Sequence, residues 1–109
     1  MSETETEDIS EEQFLGHVAE VCAAAPFLTP MGASILLALH FGICADSRTF
    51  ARLFEISHAL VLREVTTLAE QHDLVTIVER NPRTQRTALA LTDAAQALLS
   101  RALPPEVTE

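Results

Sequence analysis

The stretch that decides the fold is SHALVLREVTTLAEQHDLVTIVERNPRTQRTALAL, residues 57–91. Its first part, Ser57 to about Gln71, reads as a helix: Ser57 is a capping hydroxyl, and Val61, Val65 and Leu68 recur at helical spacing as a core stripe. That register leaves Ala59, Leu60, Arg63, Thr66, Thr67 and Glu70 outside and Leu62 on the flank. The period then changes. Leu74 to Arg80 reads as a strand, Asn81 to Gln85 as a polar turn, and Arg86 to Leu91 as a second strand in which Thr87, Leu89 and Leu91 alternate with Arg86, Ala88 and Ala90. A capped helix therefore runs straight into a hairpin carrying three arginines, Arg80, Arg83 and Arg86.

Upstream, three shorter helices are legible. Ser10 with Gln13 forms a capping box, Glu11 and Glu12 suit the positive end of the helix dipole, and Phe14, Leu15, Val18, Val21, Cys22 and Ala25 form an apolar stripe that Pro26 stops. Thr29 followed by Pro30 starts a second helix. Ala33, Ile35, Leu36, Leu37, Ala38, Leu39 and Phe41 make it apolar on nearly every face, so it is expected to be the buried axis, ended by Gly42. Asp46 or Ser47 caps a short third helix, with Phe50, Leu53 and Phe54 inward and Arg48 and Arg52 one turn apart on the other side. Glu55 and Ile56 join it tightly to Ser57. Downstream, Thr92 caps a last helix with Ala95, Leu98, Leu99 and Ala102 inward, closed by Pro104 and Pro105.

Two short helices joined by a few residues, followed by a hairpin, predict a mainly α chain with a small β-hairpin wing, a winged helix-turn-helix. Residues 10–103 are assigned to that domain, residues 1–9 to a disordered acidic tail and residues 104–109 to a C-terminal tail. At 109 residues and 48% hydrophobic content the chain is long enough for one core without metal or disulfide help.

The formal net charge is -9, which by itself speaks against nucleic acid, since duplex affinity comes largely from cations that displace counterions. The distribution removes the objection. Residues 1–12 hold six acids, and Glu20, Glu106 and Glu109 complete the excess, whereas between Asp46 and Arg101 seven acids face seven arginines. Lysine is absent. Five Phe and neither Trp nor Tyr leave little for a stacking platform on single strands or RNA. The acidic tail reads either as a solubilising end or as a tethered polyanion competing with DNA for the wing arginines.

The helix beginning at Ser57 resembles the recognition helix of the MarR (multiple-antibiotic-resistance) family of regulators. Val61, Leu62, Arg63, Val65 and Leu68 are similar to its Val-Thr-Arg-x-Val-x-x-Leu pattern, Leu74 and Val75 to the strand that follows, and Leu91, Thr92 and Asp93 to the Leu-Thr behind the wing. The resemblance covers roughly residues 29–103. It implies a dimer on double-stranded DNA, with helix 57–71 in the major groove and wing 80–86 at the minor groove. Arg83 would then enter the minor groove, Arg80 and Arg86 hold phosphates, and Arg63 touch a base or phosphate, with Ser57, His58 and Thr67 as further contacts. The implied homodimer would use the helices Ser10–Ala25 and Asp93–Leu103.

The chain departs from that pattern in several places. Leu62 stands where a small hydroxyl residue is usual, the glycine that the family has between its recognition helix and the next strand is replaced by His72 and Asp73, the Asp-Arg signature of the wing is not kept, and one helix follows the wing where the family has a longer pair. Leu60 and Leu62 on a reading face suit a protein partner as well as thymine methyls, so a winged-helix module that binds a regulatory protein through Leu60, Leu62 and the acidic tail is the alternative. A ligand crevice between the first two helices is a third option.

For the wing arginines, the simpler reading is a solvated tip paired with Glu79 or the acidic tail. His17 and His40 read as half-buried residues of core helices, His58 and His72 lack a partner acid or thiol at ligand spacing, and Cys22 and Cys44 read as buried reduced thiols, so no metal or cofactor is expected. No nucleophile with a base and no phosphate-cradling glycine loop points to an enzyme. The acidic N-terminus and the lack of a long apolar run predict a cytoplasmic protein without a membrane span.

Overall fold

In the computed structural model, residues 9–103 are described. Among them the chain is mainly helical, with five helices and one two-stranded antiparallel sheet: α1 (Glu11–Ala24), α2 (Pro30–His40), α3 (Ser47–Phe54), α4 (His58–Glu70), β1 (Val75–Arg80), β2 (Thr87–Leu91) and α5 (Asp93–Ala102). Residues 1–8 and 104–109, which include most of the two expected tails and the closing prolines, lie outside the described residues. Ile9, counted with the tail on sequence grounds, is partly buried against the core. No helix among the described residues is long and apolar enough to cross a membrane.

The helix starts follow from their caps. Ser10 Oγ accepts from the Gln13 amide while Gln13 Oε1 accepts from the Ser10 amide, each at 3.1 Å, so two amides that have no intrahelical partner are satisfied at once. Thr29 Oγ1 accepts from Gly32 N at 2.9 Å, and Pro30 opens α2. Asp46 caps α3 with both carboxylate oxygens, taking the Thr49 amide at 2.8 Å and the Thr49 hydroxyl at 2.9 Å. Thr92 Oγ1 accepts from Ala95 N and donates to Asp73 O, tying the start of α5 to the turn before β1.

α2 is the axis. Ala33, Ile35, Leu36, Leu37 and Ala38 are buried, and α1, α4, α5 and β2 all pack against it. The helix turns out of the core at Gly42, whose φ of 71° is the left-handed conformation that ends helices at least cost. Around this axis Phe14, Val18 and Val21 of α1, Phe50 of α3, Val61, Val65 and Leu68 of α4, Leu89 of β2 and Ala95, Leu98 and Leu99 of α5 complete one core. Each fully buried aliphatic of this size contributes about 1.5–3 kcal/mol relative to exposure.

Several side chains depart from the sequence reading. Leu15 and Leu53, expected inward, are 59% and 51% exposed: Leu15 lies one position beyond Phe14, around the helix from the buried stripe, and on α3 the short inner face is filled by Phe50 and Ala51. The thiols of Cys22 and Cys44 are half-buried rather than enclosed, and burial pushes Cys44 up to about 11. The strands begin one residue later than expected, at Val75 and Thr87. β1 also carries a bulge: Ile77 pairs with Leu89 and Glu79 with Ala88, leaving Val78 without a partner, which breaks the inward and outward alternation.

Among the described residues, three non-glycine residues hold positive φ, namely Glu55, Asp73 and Gln85. Asp73 occupies the place where the sequence lacks the expected glycine, and aspartate tolerates this conformation better than most. Glu55 does not share that tolerance. At φ 56° it ends α3 while its amide and that of Ile56 cap the last carbonyls. Glu55→Gly is expected to stabilise the chain by about 0.5–1 kcal/mol, the relief of left-handed strain less the added freedom of the unfolded chain, read as a higher urea midpoint at unchanged slope.

Candidate nucleic-acid interface

α3 and α4 are joined by only Glu55, Ile56 and Ser57, so their relative angle is set by a turn too short to flex much. Ser57 Oγ accepts from Leu60 N at a long 3.4 Å, a weak cap. The stronger fixation of the α4 start comes from His58. Its Nε2 lies 2.8 Å from Ser47 Oγ, and its Nδ1 lies 3.1 Å from Arg48 Nη1.

The hydrogen-bond roles at this node follow from the donors available. A guanidinium can only donate, so His58 Nδ1 must accept, and the neutral ring then carries its proton on Nε2 and donates to Ser47 Oγ. The same Ser47 oxygen accepts from the Thr87 amide at 3.0 Å. Ser47 and Thr87 are the two fully buried polar residues of the core, both at 0% exposure. One serine oxygen thus joins the first residues of α3, α4 and β2.

The hairpin is fixed to the same region by a second set of contacts. Asp46 forms an antiparallel bridge with Ala88, and Leu89 N donates to Ala45 O at 2.8 Å. The segment before α3 therefore lies along the edge of β2 opposite β1. Arg86 Nε lies 3.3 Å from Asp46 Oδ1. Burial alone would raise the Asp46 carboxyl, but the Thr49 amide, Arg86 and the Thr49 hydroxyl together hold it below the ordinary value.

The expected contact residues fall into two groups. Arg63, Arg80 and Arg83 are exposed, and none has a carboxylate within 4 Å among the described residues. Arg83 stands on a tip organised by Asn81, whose Oδ1 accepts from the Arg83 and Thr84 amides, an Asx-turn. Glu64, next to Arg63 on α4, accepts from Thr29 Oγ1 at 2.9 Å. The approach is close enough that a Cβ on Gly32 would meet Glu64 Oε2 at 2.8 Å.

The remaining four are engaged elsewhere. Arg86 is paired with Asp46 rather than Glu79, and His58 is held by Ser47 and Arg48. Thr67 donates its hydroxyl to Arg63 O and Ser57 caps Leu60. The chain order separates Ser57, His58, Arg63 and Thr67 on α4 from Arg80, Arg83 and Arg86 on the hairpin, and the Ser47 node is what ties the two sets together.

Sequence reasoning missed Ser47 because a serine beside a capping aspartate is indistinguishable from an ordinary first-turn residue. No local signal marked it, since His58 and Thr87 lie 11 and 40 residues away in sequence. A concavity of about 580 Å³ lies between the end of α2, β2 and α5, with His40, Cys44, Gln96 and Ser100 on its wall and no residue of α1. No group of three or more His, Cys, Asp and Glu suited to a metal occurs among the described residues.

Comparison of the chain with family models, with curated proteins and with solved structures finds no match in any of the three.

Two outcomes follow from the node. Ser47→Ala removes the acceptor of a buried amide, which costs about 1–3 kcal/mol, and should lower the urea midpoint while leaving helix content by circular dichroism unchanged. The second concerns pH. Burial first, and the Arg48 charge next, hold His58 below the ordinary histidine value of 6.5, with Asp46 opposing, and burial and His17 act on His40 in the same direction. A depressed histidine binds protons more weakly folded than unfolded, so its contribution is present above 6.5 and is lost as pH falls through the folded value. Stability should decline on acidification below about 6.5, and His58→Gln should flatten that decline.

Proposed function

We propose that the chain is a cytoplasmic transcriptional regulator that binds double-stranded DNA as a winged helix-turn-helix, in the manner of the MarR family it resembles. α3 and α4 are the helix-turn-helix, α4 is the recognition helix in the major groove, and the β1–β2 hairpin is the wing at the minor groove. The observation that carries this reading is the pair of hairpin arginines, Arg80 and Arg83, without a carboxylate within 4 Å among the described residues, on a projecting turn bound through Ser47 to the start of α4. A narrow minor groove concentrates negative potential that favours an inserted guanidinium. The strand-like pairing of Ala45 and Asp46 with β2 also suits a winged helix, in which the hairpin is braced by a third short strand.

Arg83 is the minor-groove residue in this reading and Arg63 the principal side chain of α4. Arg80 holds phosphate, and Arg86 divides its charge between phosphate and Asp46. A homodimer would place two such units on one site, through α1 and α5. These helices pack on each other within the chain, and Leu15 at 59% exposure is the side chain on α1 left available to a partner copy.

A second reading is favoured by one observation: Leu60 on the outer face of α4 is 47% exposed, an apolar group where a reading side chain would be polar. In that case α4 docks a regulatory protein through Leu60 and Leu62, aided by the acidic tail.

Binding of random genomic duplex fragments separates the two. A DNA reader retains fragments at low salt and loses affinity steeply as salt rises, with a log–log slope of about -0.9 per phosphate neutralised; an apolar protein contact has no such slope. Arg83→Ala and Arg63→Ala should each weaken retention about tenfold, in line with the ~1–3 kcal/mol of one specific contact. Equal and negligible retention of wild type and both variants would end the DNA reading.

A further inference from the structure

We propose that Arg48, Arg52 and His58 form a phosphate-binding site at the α3–α4 turn, and that its occupant is a backbone phosphate of duplex DNA. The assignment of the occupant rests on the DNA reading above; the assignment of the site does not.

The site is a concavity of about 320 Å³ lined by Arg48, Ala51, Arg52, Ile56 and His58. Arg48 and Arg52 are four residues apart on α3, one turn above the other on the same face, and His58 enters from the first turn of α4. No carboxylate lines the hollow. Neither arginine has a carboxylate within 4 Å among the described residues, in contrast to Arg86, whose charge is met by Asp46. Two adjacent cations are therefore brought together over an apolar floor, with no carboxylate of the described residues to meet them.

The arrangement is also ordered before any ligand arrives. Ser47 fixes the His58 ring, and the ring nitrogen fixes one arm of the Arg48 guanidinium at 3.1 Å. A guanidinium has five donors in a fixed fork, so with one spent on His58 Arg48 keeps enough for a bidentate contact to an oxyanion. Arg52 supplies a second fork. Planar forks matched to phosphate oxygens bind more strongly than neutral donors, and holding one in place in advance removes part of the ordering cost. The charged and titratable groups around His58 are Arg48, Arg52 and, more distantly, Asp46. Protonation of Nδ1 would end its acceptance from Arg48, so the neutral His58 ring is the form that holds this arm in place.

The first experiment titrates the full chain with inorganic phosphate against chloride at equal ionic strength, following the His58 ring and the arginine Nε–H resonances by NMR. Saturating shifts at Arg48, Arg52 and the His58 ring are expected. Arg52→Gln should weaken phosphate about tenfold while leaving the urea midpoint unchanged, because the Arg52 side chain makes no hydrogen bond or ion pair among the described residues. Shifts that are absent from these residues, or spread evenly over all the arginines, would overturn the site.

The second experiment measures the salt slope of duplex binding. Arg52→Gln should reduce it by about one with no change in sequence preference, independently of Arg83→Ala. Phosphate saturation with an unchanged duplex slope would make this a free-anion site and overturn the backbone assignment. Absence of any duplex binding by wild type would remove the backbone occupant together with the DNA reading, while the phosphate titration would still decide the site.

Discussion

The arrangement of the candidate interface depends on a single buried oxygen. Thr87 opens β2 with its amide turned inward and out of reach of water, and a buried amide without an acceptor costs about as much as losing a sizeable core contact. Ser47 Oγ is that acceptor. Because the same oxygen also receives His58, the requirement of one strand for a hydrogen bond becomes a constraint on where two helices begin. Geometry that a recognition surface needs is thus enforced by the ordinary rule that buried polar groups are paired.

The core supports this node without determining it. α2 could pack its apolar faces against α1, α4 and α5 in more than one rotation, as generic hydrophobic burial is not directional. Directional contacts at the periphery select one. Thr92 links α5 to Asp73, Asp46 links α3 to β2 and Arg86, and Thr29 links α2 to Glu64 of α4. Each of these is a capping residue whose side chain or flanking backbone makes one further contact, so the helix starts are also the joints between elements.

That dual use explains what could be read from the sequence and what could not. The helix starts at Ser10, Thr29, Asp46, Ser57 and Thr92 were legible, because a cap is a local event involving residues three apart. So were the stripes of α1, α4 and α5 and the buried character of α2, since periodicity reports which face is apolar. The second contact of each cap was not legible: Ser47 meets Thr87 forty residues away, and no local pattern encodes that. The exposure of Leu15 and Leu53 escaped for a related reason, as hydrophobicity says a side chain can be buried but not whether a neighbour arrives to cover it. Of the candidate site, the arginines were visible by type. Their division into a free set and a set held by Asp46 or His58 required the fold.

The bulge at Val78 has a consequence for the molecule among copies of itself. β2 is covered on one side by β1 and on the other by Ala45 and Asp46, so the sheet has its open edge along β1. That edge carries Ile77 and Val78, the latter 63% exposed, and an apolar open edge is a template for strand addition and aggregation. The bulge interrupts the regular run after Ile77, and Glu79 and Arg80 place opposite charges immediately beyond it. What remains in regular register, Val75 to Ile77, is a ledge of three residues, too short for a foreign strand to align on, so the hairpin can project into solvent without becoming adhesive.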